Sequence, residues 1–292
     1  MVFERSGIDV TLAGIGDEAA PDLAGQIGAL RRLGWSAIEL RSVDGIPIAG
    51  LTDERFSRVA DELDAAGLRT VCVDSQIGNW ARPITTDPRI DHEELRVLAP
   101  RCRRLGTPYL RIMSYPNDEL DDAEWRRRTL DRIRRLAAAA ERCGVVLLHE
   151  NCAGWAGRSG ARMLELLDSV ASPALGLLFD IGNGVAYDYD SFGLLTEIVD
   201  RVSHVHIKDA VGTAAAPEYV LPGQGRCRVA DCLRLLLDHG YAGAWTIEPH
   251  VRTRPHDGVA AAAGDEAAFV AYGRHFERLM RGLAVTAGGG GP

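Results

Sequence analysis

Four consecutive strand-like segments in the second half of the chain carry residues that can bind a metal ion. Glu150 closes VVLLHE, Asp180 closes LGLLFD and Glu248 follows AWTI, while VSHVHIKD contributes His204 and His206. Three carboxylates brought to one place would repel each other, and each would need a counter-charge. A divalent cation supplies that charge and also accounts for the histidine. The sequence therefore predicts a site with three oxygen donors and one nitrogen donor for Mn²⁺, Mg²⁺, Co²⁺ or Zn²⁺.

The two histidines of this segment are two residues apart, so their side chains point to the same side of a strand. Only the later one lies near the strand end. His206 is therefore the predicted ligand, and His204 is expected deeper, as a satisfied interior residue. A single acid at a strand end is usually a loop residue or a helix N-cap. Donors on four consecutive strands favour a shared site instead.

The chain has a single lysine, Lys208, among 33 basic residues. It follows His206 by two residues, so both side chains face the same side if the strand continues. In that position a lysine can bind a carboxylate, a phosphate or an alkoxide, or donate a proton. The alternative is a solvated lysine at a strand end. Because every other basic residue is arginine, we favour a catalytic role.

Five further residues are candidates for substrate contact: Asn183, Arg111, Glu39, Trp155 and Arg226. Asn183 can donate a hydrogen bond to a hydroxyl group. Arg111 and Glu39 lie on predicted strands and could recognise a charged or hydroxylated substrate, or form ion pairs with other rim residues. Trp155 could form an apolar wall or simply pack, and Arg226 follows PGQG and could bind an anionic group.

The elements that must position these residues alternate regularly along the chain. Eight strand-like runs, each followed by an amphipathic helix, recur about every 35 residues, and runs such as VVLLH are apolar throughout, as parallel strands buried on both faces require. This pattern predicts a single (β/α)8 TIM barrel over residues 1–284, with residues 285–292 a disordered glycine-rich tail. A doubly wound sheet is the main alternative. In a TIM barrel, the strand ends named above share one rim.

Composition excludes several classes of protein. The 292 residues are 46% apolar and 25% charged, which is typical of a folded domain, and the net charge of −8 disfavours nucleic acid as a partner. No apolar run approaches the roughly 18–20 residues of a membrane span. The first ten residues lack a signal-peptide core, and the six cysteines form no CxxC motif. We therefore expect a cytoplasmic protein with mostly buried thiols and no membrane partner.

Several motifs resemble the xylose isomerase-like TIM barrels, a superfamily of sugar isomerases and epimerases, dehydratases and AP endonucleases. They are HEN at 149–151, LFDIGN at 178–183, HVHIKD at 204–209, PGQG at 222–225 and IEPH at 247–250, with GDEAAPDL at 16–23 and IELRSVDG at 38–45 similar to one bacterial branch. The resemblance implies one divalent metal held by Glu150, Asp180, His206 and Glu248. It also implies that relatives are often oligomers, so a homodimer is expected.

The same resemblance implies a reaction. In such epimerases the metal binds adjacent substrate oxygens and stabilises an enediolate, while two glutamates exchange the proton next to the carbonyl. Here these would be Glu150 and Glu248, which are predicted to act on a sugar, a sugar acid or a cyclitol. The alternative is a lyase of the inosose or 3-dehydroshikimate dehydratase type, because the same enediolate can expel a β-hydroxyl group.

Three other functions are disfavoured. The segment from Gly14 to Ala19 has the GxGxxA outline of an NAD-binding loop, but Asp17 and Glu18 stand where a pyrophosphate needs bare amides. An AP endonuclease is disfavoured because Asn183 stands where several relatives have a histidine. A non-catalytic binding barrel would not need both glutamates.

Overall fold

The chain folds around a single parallel sheet. The computed structural model describes residues 10–251 and 265–286. The strands of the sheet, in chain order, are β1 (Thr11–Gly14), β2 (Ala37–Leu40), β5 (Arg69–Asp74), β6 (Tyr109–Ser114), β7 (Val146–Gly154), β8 (Leu175–Asp180), β9 (Val202–Ile207) and β12 (Ala244–Ile247). Two small hairpins contribute the remaining strands, β3 (Ser42–Val43) with β4 (Ile46–Pro47), and β10 (Ala210–Thr213) with β11 (Ala216–Tyr219).

The order of the strands identifies the architecture. The sheet runs β1-β12-β9-β8-β7-β6-β5-β2, so each strand lies beside the next strand of the sheet along the chain, and the last lies beside the first. An isolated parallel bridge between Ile15 and Glu39 links the two edge strands. Eight parallel strands in this cyclic order form a (β/α)8 barrel, as predicted, and exclude the doubly wound alternative.

Helices follow the strands and surround the barrel. They are α1 (Leu23–Leu33), α2 (Asp53–Ala66), α3 (Arg89–Leu105), α4 (Asp122–Cys143), α5 (Gly160–Val170), α6 (Asn183–Tyr187), α7 (Ser191–Ile198), α8 (Val229–Asp238) and α9 (Asp265–Thr286). The short α6 lies against β7 and the β10–β11 hairpin. Local sequence sets the ends of the helices. Thr52 and Asp121 cap the N-termini of α2 and α4 through their side chains, and Gly67 and Gly144 end the same helices in the left-handed conformation.

The hairpin β10–β11 lies in the long loop that follows β9, where the sequence indicated no regular structure. Asp209 holds this loop together, because its carboxylate accepts hydrogen bonds from the backbone amides of Ala210, Gly223, Gly225 and Cys227. One buried carboxylate thus fixes both ends of the segment 210–227 and the PGQG turn within it.

The barrel interior changes from apolar to polar along its axis. Leu148 and Leu178 pack with Cys72 in one small apolar cluster. Glu150 and Asp180 lie two residues further along the same strands and therefore on the same inner face. The strands thus place a carboxylate above each of these leucines, at the rim that the carboxyl ends of the strands share.

The C-terminal segment and the cysteines can be compared with the sequence-based expectations within the described residues. Helix α9 extends to Thr286, so residues 285 and 286 of the predicted disordered tail are helical, and residues 287–292 lie outside the described part of the chain. All six cysteines are free, and five are buried. Among the described helices, none combines the length and apolar character needed to cross a membrane.

His149 precedes Glu150 on β7, and because side chains alternate along a strand it faces the side opposite to Glu150. It is fully buried, and neither ring nitrogen has a hydrogen-bond partner among the described residues. Burial lowers the pKa of its imidazole to about 4. Below the ordinary pKa of about 6.5, His149 is protonated in the unfolded chain but stays neutral in the folded chain until the pH approaches 4. Because the unfolded state binds more protons, the free energy of unfolding falls as the pH drops.

We expect His149→Leu to remove this pH dependence. Between pH 7 and pH 5 the wild-type protein should lose about 2 kcal/mol of stability through this one group. The leucine variant should lose that much less, because it has no proton to bind. Urea unfolding at both pH values measures the difference. Parallel stability curves for the two proteins would contradict the prediction.

Candidate metal and active site

Four side chains from β7, β8, β9 and the end of β12 converge at the rim of the barrel. Glu150, Asp180, His206 and Glu248 are all buried, and their potential ligand atoms lie within 4.8 Å of one another. These are the four residues predicted to bind the metal. The strand order brings them together because the four strands are neighbours in the sheet.

His206 makes the donor set suitable for a cation. Its Nδ1 atom has no hydrogen-bond partner among the described residues and lies 3.4 Å from Glu248 Oε2 and 3.9 Å from Asp180 Oδ2. An imidazole nitrogen that faces two carboxylates in a buried cluster is suited to binding a metal ion. Burial raises the pKa of Asp180 to about 7, although Lys208 opposes this shift. A cation would relieve the mutual repulsion of these acids.

Glu39 lies beneath this cluster and not on its open side. It is fully buried, with Oε1 2.9 Å from His206 Nε2 and Oε2 2.7 Å from His204 Nε2. Burial alone would raise the pKa of Glu39, but the two histidines outweigh it and hold the pKa well below its usual value. The structure therefore places Glu39 against the predicted ligand, with each of its oxygens facing a histidine. His204 is interior, as expected.

Glu150 is held at both oxygens. Arg111 donates from Nη1 to Oε2 at 2.9 Å, and Asn183 donates from Nδ2 to Oε1 at 2.9 Å. Arg111 also lies 3.5 Å from Asp74, and all of these groups are buried. Arg111 and Asn183, predicted to contact substrate, are thus both in the site, and both contact Glu150.

Glu248 is held by two cations. Arg41 donates from Nη1 to Oε1 at 2.9 Å, and Lys208 donates from Nζ to Oε2 at 2.6 Å. Burial would raise the pKa of Glu248, but Lys208, His250 and His206 outweigh burial and hold the pKa well below its usual value. Glu248 is therefore an ionised carboxylate in a strongly cationic setting.

Lys208 is a buried member of the cluster and not a solvated lysine. Its Nζ lies 2.8 Å from Asp180 Oδ2 as well as 2.6 Å from Glu248 Oε2. Burial would lower the pKa of Lys208, but these two carboxylates raise it well above its usual value. Gly182 gives the lysine its room, because a Cβ atom there would lie 2.4 Å from Lys208 Cγ. No larger residue at 182 is compatible with this side chain in place.

A cavity of about 480 Å³ opens beside the cluster. Asn183 and His250 line it on the side of the site, and Tyr187, Glu218 and Tyr219 line it from α6 and the β10–β11 hairpin. Its volume is in the range of small-molecule sites. Asn183 contacts Glu150, and His250 lies 3.8 Å from Glu248, so a side chain that lines the cavity lies beside each glutamate.

The structure does not bring the remaining two candidates into this cluster. Trp155 is buried, and the guanidinium of Arg162 covers its ring, so it offers no open wall to a ligand. Arg226 is exposed and lines a separate pocket with Asp188 and Asp190, two acids that would repel an anion.

Arg41 and the pair formed by Glu18 and His250 contribute to the site, although their positions in the sequence did not indicate it. Arg41 pairs with Asp17 and Glu18 as well as with Glu248. The carboxylate of Glu18 in turn accepts hydrogen bonds from the backbone amide and from Nδ1 of His250. The acidic DE pair after β1 and the arginine after β2 were the available signals, but nothing local indicates that they meet Glu248.

Comparison with known proteins identifies the family. The model of the xylose isomerase-like TIM barrel matches residues 27–270. The chain belongs to this family. The family match covers every strand of the sheet except β1.

Within the xylose isomerase-like family, the chain is similar to a 2-epi-5-epi-valiolone 7-phosphate 2-epimerase from Actinoplanes sp., at 32% identity over 189 residues, 64% of each protein. It is also similar to an inosose dehydratase from Halalkalibacterium halodurans, at 27% identity over 143 residues, 44% of this chain and 46% of that protein. Both matches therefore span less than two thirds of the relative. The crystal structure of an IolI protein with a bound zinc atom superposes with a TM-score of 0.73, covering 95% of this chain and 99% of that one, at 16% identity, which shows the shared fold.

The loop that follows β1 does not have the structure of an NAD-binding loop. Asp17 and Glu18 are buried, and both bind Arg41. The glycine-rich outline between Gly14 and Ala19 therefore presents acids paired inside the protein, and it offers no anion cradle for a dinucleotide.

Proposed function

We propose that this protein is a divalent-metal-dependent isomerase or epimerase that transfers a proton at the carbon next to a carbonyl in a sugar, sugar acid or cyclitol. The observation that carries the proposal is the convergence of two buried glutamates, Glu150 and Glu248, on one set of metal donors beside a cavity of small-molecule size. The names of the matched relatives, an epimerase and a dehydratase of cyclitol-like compounds, support it.

The proposed metal ligands are Glu150, Asp180, His206 and Glu248. When bound, a divalent cation would polarise the substrate carbonyl and acidify the neighbouring C–H group. The zinc atom in the IolI structure supports a divalent ion, and the donor set of three oxygens and one nitrogen accommodates Mn²⁺, Mg²⁺, Co²⁺ or Zn²⁺.

The two glutamates would serve as the proton-transfer pair. Glu248, ionised beside Arg41 and Lys208, would remove the proton from the C–H group and then release it to solvent. Glu150, fixed by Arg111 and Asn183, would return to the substrate a proton that it first takes up from solvent. A carboxylate fixed at both oxygens loses little freedom on reaching the reactive geometry.

A lyase on the same site is the second candidate. Lys208 favours it, because a buried ammonium beside two of the proposed metal ligands could protonate a departing β-hydroxyl group. The inosose dehydratase among the relatives points in the same direction. The two reactions share their first step and differ in whether the substrate then loses water.

Turnover in D₂O tests both candidates. The protein loaded with Mn²⁺ would be incubated with inosose, 2-epi-5-epi-valiolone 7-phosphate and a panel of ketohexoses, and the products examined by NMR and mass spectrometry. An epimerase or isomerase should place solvent deuterium next to the carbonyl without loss of mass as water. A lyase should give a product lighter by one water. Turnover of a substrate with no solvent deuterium would instead indicate hydride transfer and overturn the proposal.

Lys208→Arg tests the proposed role of the lysine. The guanidinium is longer and planar, so it cannot take the place of an ammonium 2.6 and 2.8 Å from two carboxylate oxygens above Gly182. We expect kcat to fall about 10²-fold while metal content is retained. Arg226→Lys, at an exposed position, is the control and should keep full activity. Full activity of Lys208→Arg would reject a specific role for the lysine.

The substrate would be a small carbohydrate or cyclitol, with no nucleic-acid or membrane partner. A cytoplasmic location and a homodimer stay predictions. Six free cysteines suit a reducing compartment.

A further inference from the structure

One buried carboxylate beneath the site is shared by two histidines. Glu39 on β2 contacts His206 Nε2 at 2.9 Å through one oxygen and His204 Nε2 at 2.7 Å through the other. All three side chains are at most 1% exposed. The contacts cross the barrel interior, from β2 to β9.

These contacts determine which nitrogen of each ring carries the proton. An ionised carboxylate only accepts hydrogen bonds, so a nitrogen that faces it within 3 Å must donate. Nε2 of His206 is therefore the N–H side of the ring. Its Nδ1, which faces Asp180 and Glu248, is therefore the nitrogen through which the ring would bind a metal ion.

We propose that Glu39 is a positioning residue that fixes the orientation and the tautomer of His206 for metal binding. This inference rests on the proposed metal site, in which His206 is the only nitrogen donor. It assigns Glu39 a role in metal affinity in place of the substrate contact expected from the sequence.

His204 completes the arrangement. It binds the second oxygen of Glu39, and its Nε2 lies 3.2 Å from Thr246 Oγ1 on β12. Because each oxygen of Glu39 faces its own histidine, the carboxylate cannot rotate toward one partner without losing the other. The shared carboxylate is thereby held in the plane that suits His206.

Zinc binding to Glu39→Leu tests the proposal. Without the carboxylate, the proton of His206 can move to Nδ1, where Glu248 and Asp180 attract it and the metal must displace it. Loss of an orienting partner of this kind typically weakens metal binding 10–100-fold, and we expect an increase of that size in the Kd for Zn²⁺ by calorimetry. His204→Gln is the matched control, because its amide can still donate to Glu39, and the Kd should stay within about threefold. An unchanged Kd in Glu39→Leu, or equal weakening in both variants, would overturn the proposal.

The tautomer can be measured in the wild-type protein, so the test survives if Glu39→Leu fails to fold. In long-range ¹H–¹⁵N NMR spectra of the metal-free protein, Nε2 of His206 should carry a proton. An unprotonated Nε2 would contradict the proposal. The variant His206→Ala distinguishes an error in the proposed metal site from an error in the proposed role of Glu39. If this variant binds zinc normally, the metal site itself is wrong. If it loses zinc while Glu39→Leu retains it, only the role of Glu39 is wrong.

Discussion

Glu150→Gln and Glu248→Gln are each expected to lower kcat by about 10²–10⁴-fold, the range that proton transfer by a positioned side chain contributes. An amide keeps the size of the carboxylate but cannot take up a proton at working pH. In both variants solvent deuterium should no longer enter the substrate. Steady-state kinetics and the D₂O experiment measure the two effects independently.

The surroundings of the two glutamates predict a difference between the variants. In Glu150→Gln one amide must meet Arg111 and Asn183, both of which donate. In Glu248→Gln the buried charges of Arg41 and Lys208 lose a shared counter-charge, which is a larger electrostatic loss. We therefore expect Glu248→Gln to have the lower melting temperature of the two.

Glu277→Gln is a suitable control for both. Glu277 is also a buried, ion-paired glutamate, but it lies on α9, where it accepts a hydrogen bond from Trp35 and pairs with Arg274. Its replacement should affect stability and leave kcat within about threefold. Either site variant with more than a tenth of wild-type kcat and continued deuterium exchange would contradict the assignment of the proton-transfer pair.

His206→Ala is expected to lose the metal and, with it, activity. It removes the only nitrogen donor of the cluster, so the loss of affinity should exceed the 10–100-fold typical of removing a mere orienting partner. Elemental analysis after dialysis against dilute Zn²⁺ or Mn²⁺ measures the metal content directly. Asp180→Asn should behave similarly, since the amide oxygen is a weaker ligand and carries no charge.

His204→Gln is again the matched variant for this test. His204 lies two residues earlier on the same strand and shares the same partner, Glu39, but it is not one of the four donors. It should therefore keep its metal. Undiminished metal content in His206→Ala and Asp180→Asn would refute the proposed ligand set, and equal loss in His204→Gln would mean that the effect is structural.

The barrel could be predicted from the sequence because its signals are local. The strand-like run LGLLFD, predicted to end at Asp180, is strand β8 with those bounds. Periodic apolar residues, N-capping side chains and C-terminal glycines act within a few residues of the elements they define. The β10–β11 hairpin was missed because Asp209 organises it through amides up to 18 residues away.

The convergence of Glu150, Asp180, His206 and Glu248 followed from strand ends alone, because a parallel barrel brings those ends to one rim. The partners of these residues could not be derived in that way. Glu39 meets His206 across 167 positions, and Arg41 meets Glu248 across 207. Whether an arginine near the rim faces a substrate or a carboxylate depends on which strands face each other across the barrel, and periodicity carries no such information.

Gly182 lies against the main chain of residue 208 as well as against its side chain. A Cβ atom at 182 would lie 2.4 Å from Cγ of Lys208, 2.5 Å from its Cβ and 2.9 Å from its backbone carbonyl carbon. A shorter side chain at 208 would remove only the first of these three clashes, so glycine is required at 182 whichever non-glycine residue stands at 208. The two positions are therefore unequal for protein engineering: residue 208 can be replaced to change the charge of the site, whereas any side chain at 182 would displace the backbone that follows β9.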